Sequence, residues 1–348
     1  MSLGRLLIIA ALAPAIYAQK PSFTVGWSVY VGWNPYYYMQ KSGILKKWAD
    51  KYGVAIKVQR FDYAPSLDAF VAKNIDACAM TNMEALDMPA AAGVDTSAII
   101  VGDYSNGNDA VITRGLTLAQ IPGKQVLIVE KTVSQYLIER GMAINGLESQ
   151  IKKIKYLNTS DADIASAFLT NPSKQVVVTW KPMVSQIAKA KDAQIVFNSS
   201  KIPGEILDLL VVRTDVLKRP DGEKFAKAIT AAWYEVMSQM TGAAADKALT
   251  AIAEGSQDTL ASYKEQLSTT HMFFTPQSAV QMTTAPDLKK TMDLVRKFCF
   301  SHGLLGEKTA SADDVAIQFP DASLLGKADR VRLRFNPAYM QMAAQGKL

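Results

Sequence analysis

Residues 23–53 read FTVGWSVYVGWNPYYYMQKSGILKKWADKYG. Phe23, Val25, Trp27 and Val29 alternate with Thr24, Gly26, Ser28 and Tyr30, the two-residue period of a strand with one face buried. Asn34-Pro35 then marks a helix start, a capping residue followed by proline at the first helical position. The helical stretch behind it runs to Tyr52-Gly53 and is broken near Gly43. A strand that passes straight into a helix is the repeating unit of an α/β sheet. Here the aromatic residues Trp33, Tyr36, Tyr37 and Tyr38 crowd the joint, and in open α/β sheets ligands bind beyond the carboxyl ends of the strands.

The same alternation continues outward. It predicts a strand over 55–61, a helix from Pro65 to Lys73, a strand over 77–81, a helix capped by Asn82 and a strand over 96–102. A second block begins near Thr113, with strands over 124–129, 153–157, 176–180, 194–197 and 207–212 and a helix over 132–140. Ser160-Asp161-Ala162-Asp163 has capping-box spacing, with Asp in place of Glu. The remainder reads as mainly helical, over 225–240, 246–254 and 291–300. Helices without a sheet of their own must pack on another element. The expected architecture is therefore α/β with two lobes, each a mostly parallel sheet flanked by helices. Residues 20–112 with 213–348 form one lobe, and residues 113–212 form the other. Short extended crossovers join them near 110–114 and 209–214.

The chain has 348 residues, 49% apolar and 20% charged, as expected of a globular protein of two ordinary domains. Lys+Arg 38 against Asp+Glu 32 leaves +6, and the charges are scattered. No basic run resembles a nucleic-acid patch, so a nucleic-acid partner is not expected. Residues 1–18 carry a signal-peptide pattern: Arg5, an apolar run over 6–12, then the small residues Ala13, Ala15 and Ala18. That run is too short to span a bilayer. Cys78 sits in an apolar strand and Cys299 in an apolar helix, and both read as buried free thiols.

Candidate chemistry follows from position. Trp33 and Trp180 lie at strand ends, where a ring can stack on a planar ligand or face a cation, whereas Trp27 lies mid-strand and reads as core. Glu84, Asp87, Asp109 and Asp208 are acidic residues near strand ends or crossovers. Glu84 would also be favoured simply by a helix dipole, and Asp109 and Asp208 by turn structure. Together Asp109 and Asp208 would clamp a cation. Ser134, Gln135 and Tyr136 open a helix whose N–H groups would suit an anion or a carbonyl. There is no Gly-rich phosphate loop, no metal-binding spacing, and no catalytic motif around the two histidines, His271 and His302. Neither a cofactor nor a metal is expected.

The runs TNMEALDMPAAAGVD, SNGNDAVI, VSQYL, NTSDADI, VVVTWKP, SSKIPGEILDLLVV, AWYEVM, TMDLVRKF and HGLLGE occur in this order over nearly the whole chain beyond the N-terminal segment. In them the sequence resembles the substrate-binding proteins of ABC importers of the nitrate/sulfonate/taurine type, and most of all the urea- or guanidine-type subgroup associated with urea carboxylase. The resemblance implies a two-lobed periplasmic-binding-protein fold (type II), a periplasmic location, a monomer, a small-molecule ligand, an ABC permease in the inner membrane as partner, and no enzymatic activity. It also implies ligand contacts from Trp33, Asn34 and Tyr36, from Thr81, Asn82 and Glu84, and from Asp109, Ser134, Tyr136, Trp180 and Asp208. Two departures stand out: Val-Ser-Gln-Tyr replaces the usual Val-Ser-His-Tyr, and Trp-Lys-Pro replaces Trp-Asn-Pro, placing Lys181 beside the cleft. The ligand suggested is a small planar nitrogen compound, guanidine-like or urea-like. The alternatives are a small anion such as a sulfonate, taurine or nitrate, or a pyrimidine-synthesis enzyme on the related fold. The missing His and Cys cluster argues against the enzyme. N-terminal sequencing of exported material is expected to begin between residues 16 and 20, and retention of Met1 would contradict the signal-peptide reading.

Overall fold

The computed structural model describes residues 19–348; the expected signal peptide, residues 1–18, lies outside them. Nine strands form one sheet: β1 (Ser22–Trp27), β2 (Ala55–Arg60), β3 (Ala77–Thr81), β4 (Thr96–Ser105), β10 (Leu207–Arg213), β11 (Thr270–Met272), β12 (Ala316–Gln318), β13 (Leu324–Leu325) and β14 (Val331–Phe335). Five form the other: β5 (Ala110–Arg114), β6 (Gln125–Ile128), β7 (Lys155–Asn158), β8 (Val176–Thr179) and β9 (Ala193–Asn198). The orders are β13-β12-β14-β4-β10-β3-β1-β2, with β11 on β4, and β7-β6-β8-β5-β9.

Both sheets are mixed. β1 pairs in parallel with β2 and β3, and β6 with β7 and β8, as strand–helix alternation demands. The antiparallel pairs of β10 with β3 and β4, and of β5 with β8 and β9, arise because these strands carry the chain between the sheets and run against their neighbours. Strands β3, β4 and β10 are buried almost throughout, which explains the apolar runs Ala98–Val101 and Leu209–Val212 within them.

The two crossings run side by side. The Ser105 hydroxyl lies 2.7 Å from that of Ser199 and donates to Asp109 Oδ2 at 2.5 Å. Gly107 N–H donates to Ser199 Oγ at 2.7 Å, and Ser199 N–H to the Asp109 carbonyl at 3.0 Å. Gly107 has φ +110°, a backbone region that side chains rarely tolerate.

Beyond residue 213 the chain packs on the first sheet. Helix Gly222–Thr241 lies against helices Asn34–Lys41 and Ile44–Tyr52. Phe225 stacks on Phe23 at 4.6 Å, and Trp233 packs at a tilt against Tyr36 at 5.0 Å. This segment also supplies β11 to β14, so it is not only helical. In β14 the order Val-Arg-Leu-Arg-Phe does alternate, with Val331, Leu333 and Phe335 buried. β11, β12 and β13 are two or three residues long, too short for a period to show.

Helix starts differ from expectation. Trp33, not Asn34, precedes the first helix, and the Asn34 side chain donates to Ser256 Oγ at 2.8 Å. Asn82 caps no helix; its amide bonds the Glu205 carbonyl and the Leu207 N–H, tying the end of β3 to the start of β10. Among the described residues no helix is long and apolar enough to cross a membrane. Cys78 and Cys299 are both free and buried, and burial pushes the Cys78 thiol up to about 12. Two thiols should therefore react with a thiol reagent after denaturation and none at a comparable rate in the native protein; rapid labelling of Cys78 in the folded state would contradict this packing.

Candidate functional site

Each strand that ends toward the other sheet delivers a side chain to the space between them. Tyr30 and Trp33 follow β1, Tyr63 opens the helix after β2, and Thr81 ends β3. Asp208 stands near the start of β10, with Ile206 before it. From the other side come Asp109 just before β5, Val133 at the start of the helix after β6, and Trp180 directly after β8. These nine residues line a narrow chamber with about 320 Å³ of empty space.

One wall is aromatic. Trp33 lies 5.1 Å from Tyr30 and 5.2 Å from Tyr63 between ring centroids, and Trp180 meets Tyr63 edge-on at 5.9 Å. Such rings offer π faces to a planar or cationic group. The opposite chemistry is acidic. In register, Asp208 stands beside Thr81 of β3 on one side and Asp103 of β4 on the other, so the three side chains form a row across the sheet. Asp103 is fully buried, accepts a 3.2 Å hydrogen bond from the Tyr30 hydroxyl, and leaves Oδ2 without a partner. Gly32 makes room for it: a Cβ there would fall 2.1 Å from that oxygen.

Among the described residues no cation balances these groups. Burial pushes Asp109 up to about 7, the Ser105 hydrogen bond opposing and the charges of Glu84 and Asp103 reinforcing the shift. Burial likewise raises Asp103, and burial followed by the charge of Asp103 holds Asp208 well above the ordinary carboxylate range. Lys181 is itself buried, and its ammonium is taken up by an ion pair with Glu265, so it offers the chamber no free charge.

Glu84 stands at the seam. Its Oε2 accepts from Thr81 Oγ1 and its Oε1 from the Val133 N–H at 2.9 Å. It thus supplies the negative charge at the start of helix Val133–Ile144, where a bound anion would otherwise sit. Ser134 is buried at that helix start with its hydroxyl unpartnered. Further links hold the two sides together: Tyr63 N–H to Asp161 Oδ2 at 3.3 Å, Ser185 Oγ to Glu265 at 2.9 Å, and His302 Nε2 with Glu139 Oε2 at 2.8 Å.

Of the residues nominated from sequence, Trp33, Thr81, Asp109, Trp180 and Asp208 line the chamber, and Glu84 adjoins it through Thr81. Asn34 and Asn82 are engaged elsewhere, as described above. Tyr36 packs on Trp233 in the core, and Tyr136 donates to Glu205 Oε2 at 2.5 Å beside Phe298, on another wall of its helix. Asp87 is half-buried and does not line the chamber. Tyr30, Tyr63, Val133 and Ile206 line it without having been nominated, and Asp103 lies behind it. Tyr63 carried a readable signal, an aromatic residue three positions beyond the end of β2.

No protein-family model and no curated protein sequence matches the chain. Solved structures do. The alkanesulfonate-binding protein SsuA of Xanthomonas axonopodis pv. citri, bound to MOPS, aligns with TM-score 0.67 and 15% identity over 83% of this chain and 96% of its own. The nitrate-binding protein NrtA of Synechocystis PCC 6803 aligns with TM-score 0.57 and 12% identity over 93% and 99%. A Candida albicans protein described as having the generic periplasmic binding protein fold aligns with TM-score 0.60 and 11% identity over 83% and 92%. The chain therefore has the two-lobed periplasmic-binding-protein fold.

Removing Glu84 would strand the Val133 N–H and the Thr81 hydroxyl. Glu84→Ala is expected to lower stability by about 1–3 kcal/mol in urea unfolding. Glu84→Gln, which keeps an acceptor oxygen and loses the charge, should cost less. Equal losses for the two variants would show that the charge rather than the hydrogen bonding matters.

Proposed function

We propose that the chain is a periplasmic solute receptor of an ABC importer. Residues 20–112 with 213–348 and residues 113–212 act as its two lobes, closing around one small planar nitrogen compound, and the closed form is what the permease recognises. The cargo class we favour is the guanidinium-like cation. One observation carries this reading: Asp109 and Asp208 face an aromatic-walled chamber, with Asp103 behind, and no Lys or Arg lines it. Buried carboxyls without a counter-ion are costly, and a cationic guest relieves that cost while stacking on the rings. A ligand touching both lobes favours the closed state by its differential contacts alone.

An alkanesulfonate-binding and a nitrate-binding protein share the fold, and an anionic cargo is the second reading. The buried start of helix Val133–Ile144 favours it, but Glu84 already accepts from that N–H. The receptor reading needs no chemical step, and neither His271 nor His302 lines the chamber.

A thermal-shift screen with guanidinium, urea, methylammonium, taurine, nitrate and pyrimidines tests the class. A ligand at about 100 times its Kd adds about 2.7 kcal/mol of stability. For a cation, Asp109→Asn should weaken binding about tenfold to a hundredfold, from a charge-assisted hydrogen bond of about 1.5–3 kcal/mol, and Trp33→Ala should weaken it through lost stacking. Cation affinity should also fall as pH drops below about 7, where Asp109 takes up a proton. Unchanged or tighter binding by Asp109→Asn would promote the anion.

A further inference from the structure

Asp103 does not line the chamber, yet its position beside Asp208 controls the charge displayed there. We propose that Asp103 and Asp208 share one proton when the chamber is empty and that an arriving cation expels it, making Asp103 a positioning residue that couples cargo capture to proton release. This rests on the cationic reading of the cargo.

The geometry is that of a carboxyl pair. The two residues are direct register partners on neighbouring antiparallel strands, so their side chains share a face with Cβ atoms about 4.5–5.5 Å apart. Both are buried, Asp103 at 0% and Asp208 at 3% exposure, so water cannot screen one charge from the other. Two carboxylates in such a site cannot both ionise, and they titrate as a unit. The surroundings supply no countercharge. Tyr30 donates to Asp103 Oδ1, Gly32 backs Oδ2, Met272 flanks Asp103 on β11, and Thr81 flanks Asp208 on β3. Asp109 acts on Asp208 from the second sheet, and Glu84 acts on Asp109. The phenols of Tyr30, Tyr36, Tyr63 and Tyr263 are each held well above their ordinary range and stay neutral. No Lys, Arg or His is among the groups that shift Asp103 or Asp109.

The exchange balances. The empty pair carries one proton and one negative charge. With the cation beside it, the pair becomes two carboxylates and the proton leaves for solvent, so total charge is conserved. Asp103→Asn leaves Asp208 a neutral amide neighbour and removes the reason for the shared proton, while Asp109 loses only the smallest of the contributions that shift it.

Two measurements decide. In the ligand-free protein at pH 7, infrared spectra should show a protonated-carboxyl absorption that shrinks in Asp103→Asn; if the band is absent from the wild type, the proposal fails whether or not any cation binds. With guanidinium chloride as the probe, calorimetric titration in buffers of unlike ionisation heat counts protons. The wild type should release about one proton more per bound guanidinium than Asp103→Asn, and its affinity should climb up to about tenfold more steeply per unit as pH is raised toward neutrality. Equal release by both proteins would overturn the proposal, and if the variant does not fold, persistence of the wild-type band on saturation with guanidinium would do so. Failure of guanidinium and methylammonium to bind at all would strike the cargo reading and the expulsion step together, leaving the infrared band to decide the shared proton.

Discussion

Much of this structure depends on how uncompensated negative charge is kept inside it. Asp103, Asp109, Asp208 and Glu84 are all buried at the junction of the two lobes, and the donors that reach Asp103, Asp109 and Glu84 are neutral: a tyrosine, a serine, a threonine, a backbone N–H. Such donors moderate the cost of burial without cancelling it. The folded state tolerates these carboxyls because strands β4 and β10 fix the backbones of Asp103 and Asp208, hydrogen bonds within the crossings hold Asp109, and the aromatic residues around them contribute packing that does not depend on their charge. The polarity of the chamber is thus set by strands and hydrogen-bonded crossings, the arrangement that holds binding groups accurately.

Glu84 and Lys181 show how the same physics removes charges from play. Each had an obvious role as a free group beside the cleft. Lys181 is instead neutralised by Glu265, and Glu84 is occupied by Thr81 and by the end of a helix from the other lobe. What remains unmatched is the Asp103, Asp208 and Asp109 set. An electrostatic reading of a cleft therefore has to subtract internal partners before counting what a ligand would meet.

The alternation of strand and helix over residues 23–112 was legible because buried faces impose a period, and Trp33, Asp109 and Trp180 were legible because strand ends and crossovers can be located from that period. Tyr36 misled because it lies inside the first helix, where its ring packs against Trp233 of the helix Gly222–Thr241, whereas Trp33 precedes that first helix. Asp103 was hidden for a different reason. It sits inside an otherwise apolar strand, and its meaning comes from its register with Asp208, a long-range pairing that no local pattern encodes. The short strands after residue 270 were invisible because two or three residues cannot display alternation, although Val331-Arg332-Leu333-Arg334-Phe335 did display it.

The side-by-side crossings at Ser105, Gly107, Asp109 and Ser199 carry a mechanical consequence. A single connecting strand would let two bodies swivel as well as bend. Two strands laced by hydrogen bonds resist twisting and leave bending about their common line as the soft motion. The separation of the lobes then becomes, to first approximation, a function of one angle. In the receptor proposed above, occupancy of the chamber would reach the outer surface through that single coordinate, and a membrane partner would need to sense only one distance between the lobes.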